Sequence, residues 1–139
     1  IQELAKGDAG NGALAKEREL LGTALEDVQG VLATMVGAAV ASRTEPTEIY
    51  KVGQNTIRLL MALGDLVIGW LLLRQAEVAL AALDALPAGP HSATDRDFYT
   101  GKVATARFFA GTVLPRLSAV REIAESVDNG VMTIPEAAF

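Results

Sequence analysis

Along residues 48–86 the apolar positions recur in alternating steps of three and four. One stripe runs through Ile49, Val52, Thr56, Leu59, Leu63, Leu66, Trp70 and Leu73. A second runs through Ile57, Leu60, Gly64, Val67 and Leu71 on a neighbouring face. This spacing predicts one long helix with two apolar faces. Such a helix needs cover on both sides, so it is expected at the centre of the fold, with the flanking segments as its cover.

Those flanks also have helical periodicity. Residues 13–42 carry a seam of Leu14, Leu21, Leu25, Val28, Leu32, Met35 and Ala39. Gly22, Gly30 and Gly37 interrupt this segment, each at a cost of about 1 kcal/mol relative to alanine. The close approach of a neighbouring helix is the expected compensation. The segment should end before Pro46, because a residue preceding proline avoids the helical region. After the central helix, Pro87, Gly89 and Pro90 mark a loop that holds His91.

The last helix is expected from Thr94, with Asp97 three residues on as a weak capping box. Its seam is Tyr99, Val103, Ala106, Ala110, Val113, Leu117, Val120, Ala124 and Val127. The alanines suit close helix packing, and Pro115 should kink the helix or break its ladder. Asp128, Asn129 and Gly130 end it. No stretch reads as a strand.

The fold class predicted is all-α: an antiparallel up-down bundle of three long helices, or four if the central helix breaks near Gly53 or Gly64. Residues 1–12, with three glycines, read as the tail of an upstream element and a linker. Residues 13–139 read as the bundle domain.

Composition narrows the functional classes. Half of the 139 residues are apolar and the net charge is −5. No basic stripe exists for phosphates, which argues against a nucleic-acid partner. The chain has no cysteine, which excludes disulfides, thiol nucleophiles and thiolate metal sites. No basic-then-apolar leader precedes the bundle, so a cytoplasmic location is expected. The most apolar run, 59–73, is shorter than the roughly 20 residues that span a bilayer and has Asp65 at its centre. It is therefore expected to be a buried core helix, with no transmembrane segment.

Candidate chemistry is sparse. Glu17, Glu19, Glu26 and Asp27 read as a solvated face of the first long helix, and Glu122 and Glu125 as one on the last. There is no Glu-x-x-His pair for a di-iron site, and His91 has no companion at ligand spacing. Neither a catalytic nor a metal site is predicted. Asp65 interrupts an apolar surface. It reads as a buried or interface acid paired with Arg58, Arg74 or an arginine of a partner, with a proton-transfer role as the sharper alternative. Gln54, Asn55 and Arg58 form a polar patch suited to helix packing. Trp70, Phe98, Tyr99, Phe108 and Phe109 read as core or interface side chains.

Two stretches carry a resemblance. Residues 48–80 (EIYKVGQNTIRLLMALGDLVIGWLLLRQAEVAL) and 97–139 resemble the extreme C-terminal helical domain of the large acyl-CoA dehydrogenases, most closely the actinobacterial type. The likeness covers most of the chain from Ala13 onward. It implies an FAD-dependent parent that oxidises fatty acyl-CoA and passes electrons to an electron-transfer flavoprotein. It further implies upstream domains, a homo-oligomer, and a catalytic glutamate and flavin contacts that lie upstream of this bundle. No residue here inherits those roles, and the fragment alone is expected to be inactive and without bound flavin. Two other readings stand beside this one. One is a freestanding helical module that self-associates through the seam of the last helix. The other is a ligand-binding bundle around Asp65 and Trp70.

Overall fold

The computed structural model describes residues 1–7, 12–87 and 92–138. Among them five α-helices follow one another: α1 (Gln2–Lys6), α2 (Ala15–Ala41), α3 (Ile49–Ala85), α4 (Ala93–Thr112) and α5 (Arg116–Ser126). Short 3-10 turns occupy Pro46–Glu48, Gly130–Thr133 and Glu136–Ala138. Among the described residues there is no strand, and the long helices pack as the all-α bundle expected.

The α2–α3 corner forms where the proline requires it. The Ser42 hydroxyl donates to the carbonyl of Ala39, and the Ala41 carbonyl accepts the Thr44 hydroxyl together with the Thr44 and Glu45 N–H groups, so the helix end keeps its acceptors paired. Pro46 then opens the 3-10 turn into α3, at a position where its missing N–H costs nothing. α3 continues for 37 residues through Gly53 and Gly64, about 55 Å of unbroken helix.

The break falls in the last helix instead. Pro115 has no N–H to give the ladder, and the chain tightens there through Arg116 N–H to Val113 O and Leu117 N–H to Leu114 O, both 3.0 Å. The break changes partners: α4 packs chiefly on α3, whereas α5 packs chiefly on α2. A single straight helix would have followed one neighbour only.

The core runs through all three layers. Leu14, Leu21 and Val28 of the first segment meet Leu66 and Leu73 of α3 and Val103, Leu114 and Leu117 of the last. Fully burying each such side chain contributes about 1.5–3 kcal/mol. Alanines 62, 76, 79, 106 and 110, all buried, let α3 and α4 approach closely. The predicted seam of the last helix is at least half-buried throughout, and Leu114 joins it. Because that seam faces α2 and α3, it leaves no free stripe for self-association.

Two seams differ from the pattern read in the sequence. On α2, Leu32 and Ala39 are exposed, while Ala24, Val31 and Ala38 are buried. The buried line is 21, 24, 28, 31, 35, 38, one position away from the heptad through 25, 32 and 39. On α3 only one face is covered. Of the first stripe Leu66 and Leu73 are buried but Ile49, Thr56 and Leu63 are exposed, because the buried line runs through Asn55, Ala62 and Gly69. Every member of the second stripe is exposed: Ile57, Leu60, Gly64, Val67 and Leu71. α2, α4 and α5 all lie on the other side, so α3 is buried on one face and bare on the opposite one. Its length also changes the membrane argument. Among the described residues, Ala15–Ala41 and Pro46–Ala85 are each long and apolar enough to cross a bilayer by length and composition.

The N-terminal stretch is partly structured. Residues 2–6 form α1, which packs on α2, with Ile1, Leu4 and Ala5 against the core. Gly10 of the predicted linker, and Gly89, Pro90 and His91 of the predicted loop, lie outside the described residues. Of the three α2 glycines, only Gly30 has a tight neighbour, the Arg121 side chain. Gly22 has ordinary contact with Ala5, and Gly37 has open space.

Candidate functional site

Asp65 is half-buried beside the bare face of α3 and, among the described residues, makes no hydrogen bond or ion pair. The pairing expected with Arg58 or Arg74 is not formed. Seven and nine residues of helix separate these arginines from Asp65, about 10 and 13 Å along the axis. The Arg58 Nη1 donates instead within its own turn, to Gln54 O at 2.8 Å and Asn55 Oδ1 at 3.1 Å.

The polar patch of Gln54, Asn55 and Arg58 is a structural joint. Asn55 is 1% exposed. Its Nδ2 donates to Lys51 O at 3.1 Å and reaches Ala124 O of α5 at 3.5 Å. Gln54 Nε2 donates to Asp128 O at 3.2 Å, and Asn129 Nδ2 to Glu48 Oε1 at 3.3 Å. These bonds hold the end of α5 against the start of α3.

Two buried charges were missed by the sequence reading. Arg18 of α2 donates to Glu77 Oε1 of α3 at 2.9 Å with its side chain 4% exposed. Asp27, read as part of a solvated face, is buried. It accepts a 2.7 Å bond from Ser118 Oγ and faces Arg121 at 3.7 Å. The signal was present in both cases. Arg18 stands four after Leu14 and three before Leu21, and Asp27 three after Ala24 and four before Val31, all on the buried line. Arg121 also pairs with Glu125 at 2.7 Å. The bond to Glu125, and more weakly Asp27, raises the guanidinium pKa above its ordinary value.

A shallow groove of about 350 Å³ lies between α3 and α4, lined by Leu71, Arg74, Gln75, Val78, Phe98 and Lys102. Arg74 is exposed at its rim and has no ion pair among the described residues. Lys102 Nζ sits 5.3 Å from the Phe98 ring centroid, and Phe98 meets Tyr99 edge-on at 5.4 Å. Trp70 is half-buried on the other flank. There it lines a second groove of about 310 Å³ with residues of α1 and the Arg74 and Glu77 side chains. Thus Trp70 and Arg74 share a groove, while Asp65 and Arg58 lie elsewhere.

Among the described residues no three His, Asp or Glu side chains converge to hold a metal ion. His91 lies outside the described residues. Among the described residues, Glu3 and Glu77 line the groove beside Trp70, where Glu77 is held in its ion pair with Arg18. The described residues do not build a flavin cradle either. The groove between α3 and α4 has two cations, Arg74 and Lys102, without the glycine-rich turn at a helix N-terminus that holds a diphosphate. The geometry serves helix packing and presents a large bare surface.

A family profile described as "Acetyl-CoA dehydrogenase C-terminal like" matches residues 1–135. The chain is also 52% identical over 139 residues to the broad-specificity linear acyl-CoA dehydrogenase FadE5 of Mycobacterium tuberculosis (strain ATCC 25618 / H37Rv). The match covers 100% of this chain and 22% of that relative, so the chain spans about a fifth of the curated protein it resembles.

Proposed function

The chain belongs to the acetyl-CoA dehydrogenase C-terminal-like family, and from that premise we propose that it serves as the C-terminal helical domain of an FAD-dependent acyl-CoA dehydrogenase. The domain packs on the catalytic body or at a subunit interface of its parent enzyme and holds no active site of its own. The parent acts on linear acyl-CoA thioesters, forms a homo-oligomer in the cytoplasm and passes electrons to an electron-transfer flavoprotein. When bound, FAD supplies the hydride acceptor; the residues described here contribute packing and surface to that enzyme, and no step of the chemistry. Residues 13–139 form the domain, and 1–12 its joint to the body.

The observation that carries this reading is the match along the whole chain to a family defined by its C-terminal position. The intact mass and flavin content of the native gene product test it. The expected result is a flavoprotein several times the mass of this chain that oxidises acyl-CoA, with the isolated 139 residues inactive. A native product of about this size without flavin would overturn the reading.

A further inference from the structure

We infer that the bare face of α3, centred on Ile57, Leu60, Met61, Ile68, Leu71 and Val78, is the surface by which this domain docks on the upstream part of its own dehydrogenase polypeptide. The inference rests on the domain reading above and adds to it which face is used and what covers it.

The size of the face is the first argument. Ile57 is 73% exposed, Leu60 66%, Met61 62% and Val78 66%, with Ile68 and Leu71 close to half. At ordinary side-chain sizes these six leave on the order of 700 Å² of apolar surface, near the roughly 800 Å² per partner of a stable interface. A soluble monomer rarely leaves that much bare in one patch. Gly53 and Gly64 lie on the same side and have nothing within 4 Å of an added Cβ, so a partner can come close to the backbone there.

The chain outside the structure identifies the occupant. About four fifths of the relative's length lies beyond this match. A tethered body faces the domain at the millimolar effective concentrations of short linkers, whereas a second copy must arrive from dilute solution. A bilayer is the poorer fit, because the other side of α3 is already packed and the helix carries Arg58, Asp65 and Glu77 within the same turns. The face continues at its far end into the groove with Phe98, where Arg74 and Lys102 are the charged residues among the described ones. The matching patch on the body is therefore apolar, with acidic side chains at the end that meets those two cations.

A photo-cross-linking amino acid placed at position 60 of the full-length dehydrogenase tests this, with a second variant carrying it at the equally exposed Phe108 of α4 as the reference face. Cross-linked peptides are identified in preparations whose mass and flavin are measured alongside. The expected result is cross-linking from position 60 to peptides upstream of this domain, lost by at least tenfold when Ile57→Glu and Ile68→Glu are added. Cross-links from position 60 to α3 of another copy, to lipid, or to nothing would overturn the inference, as would upstream cross-links confined to position 108. A native product without flavin or extra mass would instead overturn the domain reading itself.

Discussion

A Cβ added to Gly69 of α3 would stand 2.9 Å from Cδ2 of Leu114, so the leucine occupies the space that a side chain at position 69 would need. Leu114 is 1% exposed and sits just before the proline break, where the last helix leaves α3 for α2. It has no room to withdraw. Gly69→Ala should therefore cost about 1–3 kcal/mol of overpacking, more than the roughly 1 kcal/mol gained in helix propensity. Thermal unfolding of the isolated domain is expected to show a lower Tm for Gly69→Ala. Gly64→Ala, with open space around the new Cβ, is expected to raise it.

Gly30 shows the opposite case at a closer distance. A Cβ there would lie 2.5 Å from Arg121 Nε, but the Arg121 side chain is 40% exposed and can swing toward solvent. Gly30→Ala should loosen the Arg121–Asp27 contact and change stability by less than about 1 kcal/mol, helix propensity offsetting the lost pair. A denaturant midpoint shifted as far as that of Gly69→Ala would show that Arg121 is held more rigidly than its exposure indicates.

The Arg18–Glu77 pair ties α2 to α3 within the core. Glu77→Ala leaves a buried guanidinium without this carboxylate and should cost about 3 kcal/mol. The double variant Arg18→Met, Glu77→Leu replaces both charges with apolar groups and should recover most of that loss. Urea unfolding of Arg18→Met, Glu77→Leu and the double variant completes the cycle. A double variant as unstable as Glu77→Ala would contradict this account.

Asn55 donates toward two carbonyls and accepts from Arg58. Asn55→Asp turns a donor into an acceptor that faces Lys51 O and Ala124 O. The expected cost is about 1–3 kcal/mol at neutral pH. Hydrogen exchange should locate it in α5 and the first turns of α3, with the α3–α4 contact unaffected.

Much of the fold was legible in the chain itself. The 3.6-residue period, Pro46 and the proline-rich loop set the helix boundaries to within a residue or two, and the Val103–Ala110–Leu117–Ala124 line set the buried face of the last helix. These are local properties, decided by backbone geometry and by residues a few positions apart. The candidate site was less legible. Asp65 and its arginines share an apolar helix, but their separation along the axis is decided by the rise per residue. Asp27 and Arg18 look like surface charges until the phase of α2 is known.

The sequence by itself determined that this protein is a three-layer helical bundle and that Pro115 interrupts its last layer. Only the tertiary structure decided that α4 and α5 take different partners, that Gly69 is filled by Leu114, and that the second stripe of α3 stays bare. The physical reason is that periodicity reports which residues share a face. It does not report how many faces the rest of the chain has enough helices to cover. An apolar stripe reads the same whether its cover comes from within the bundle or from a partner, and on α3 the bundle supplies cover for one side only.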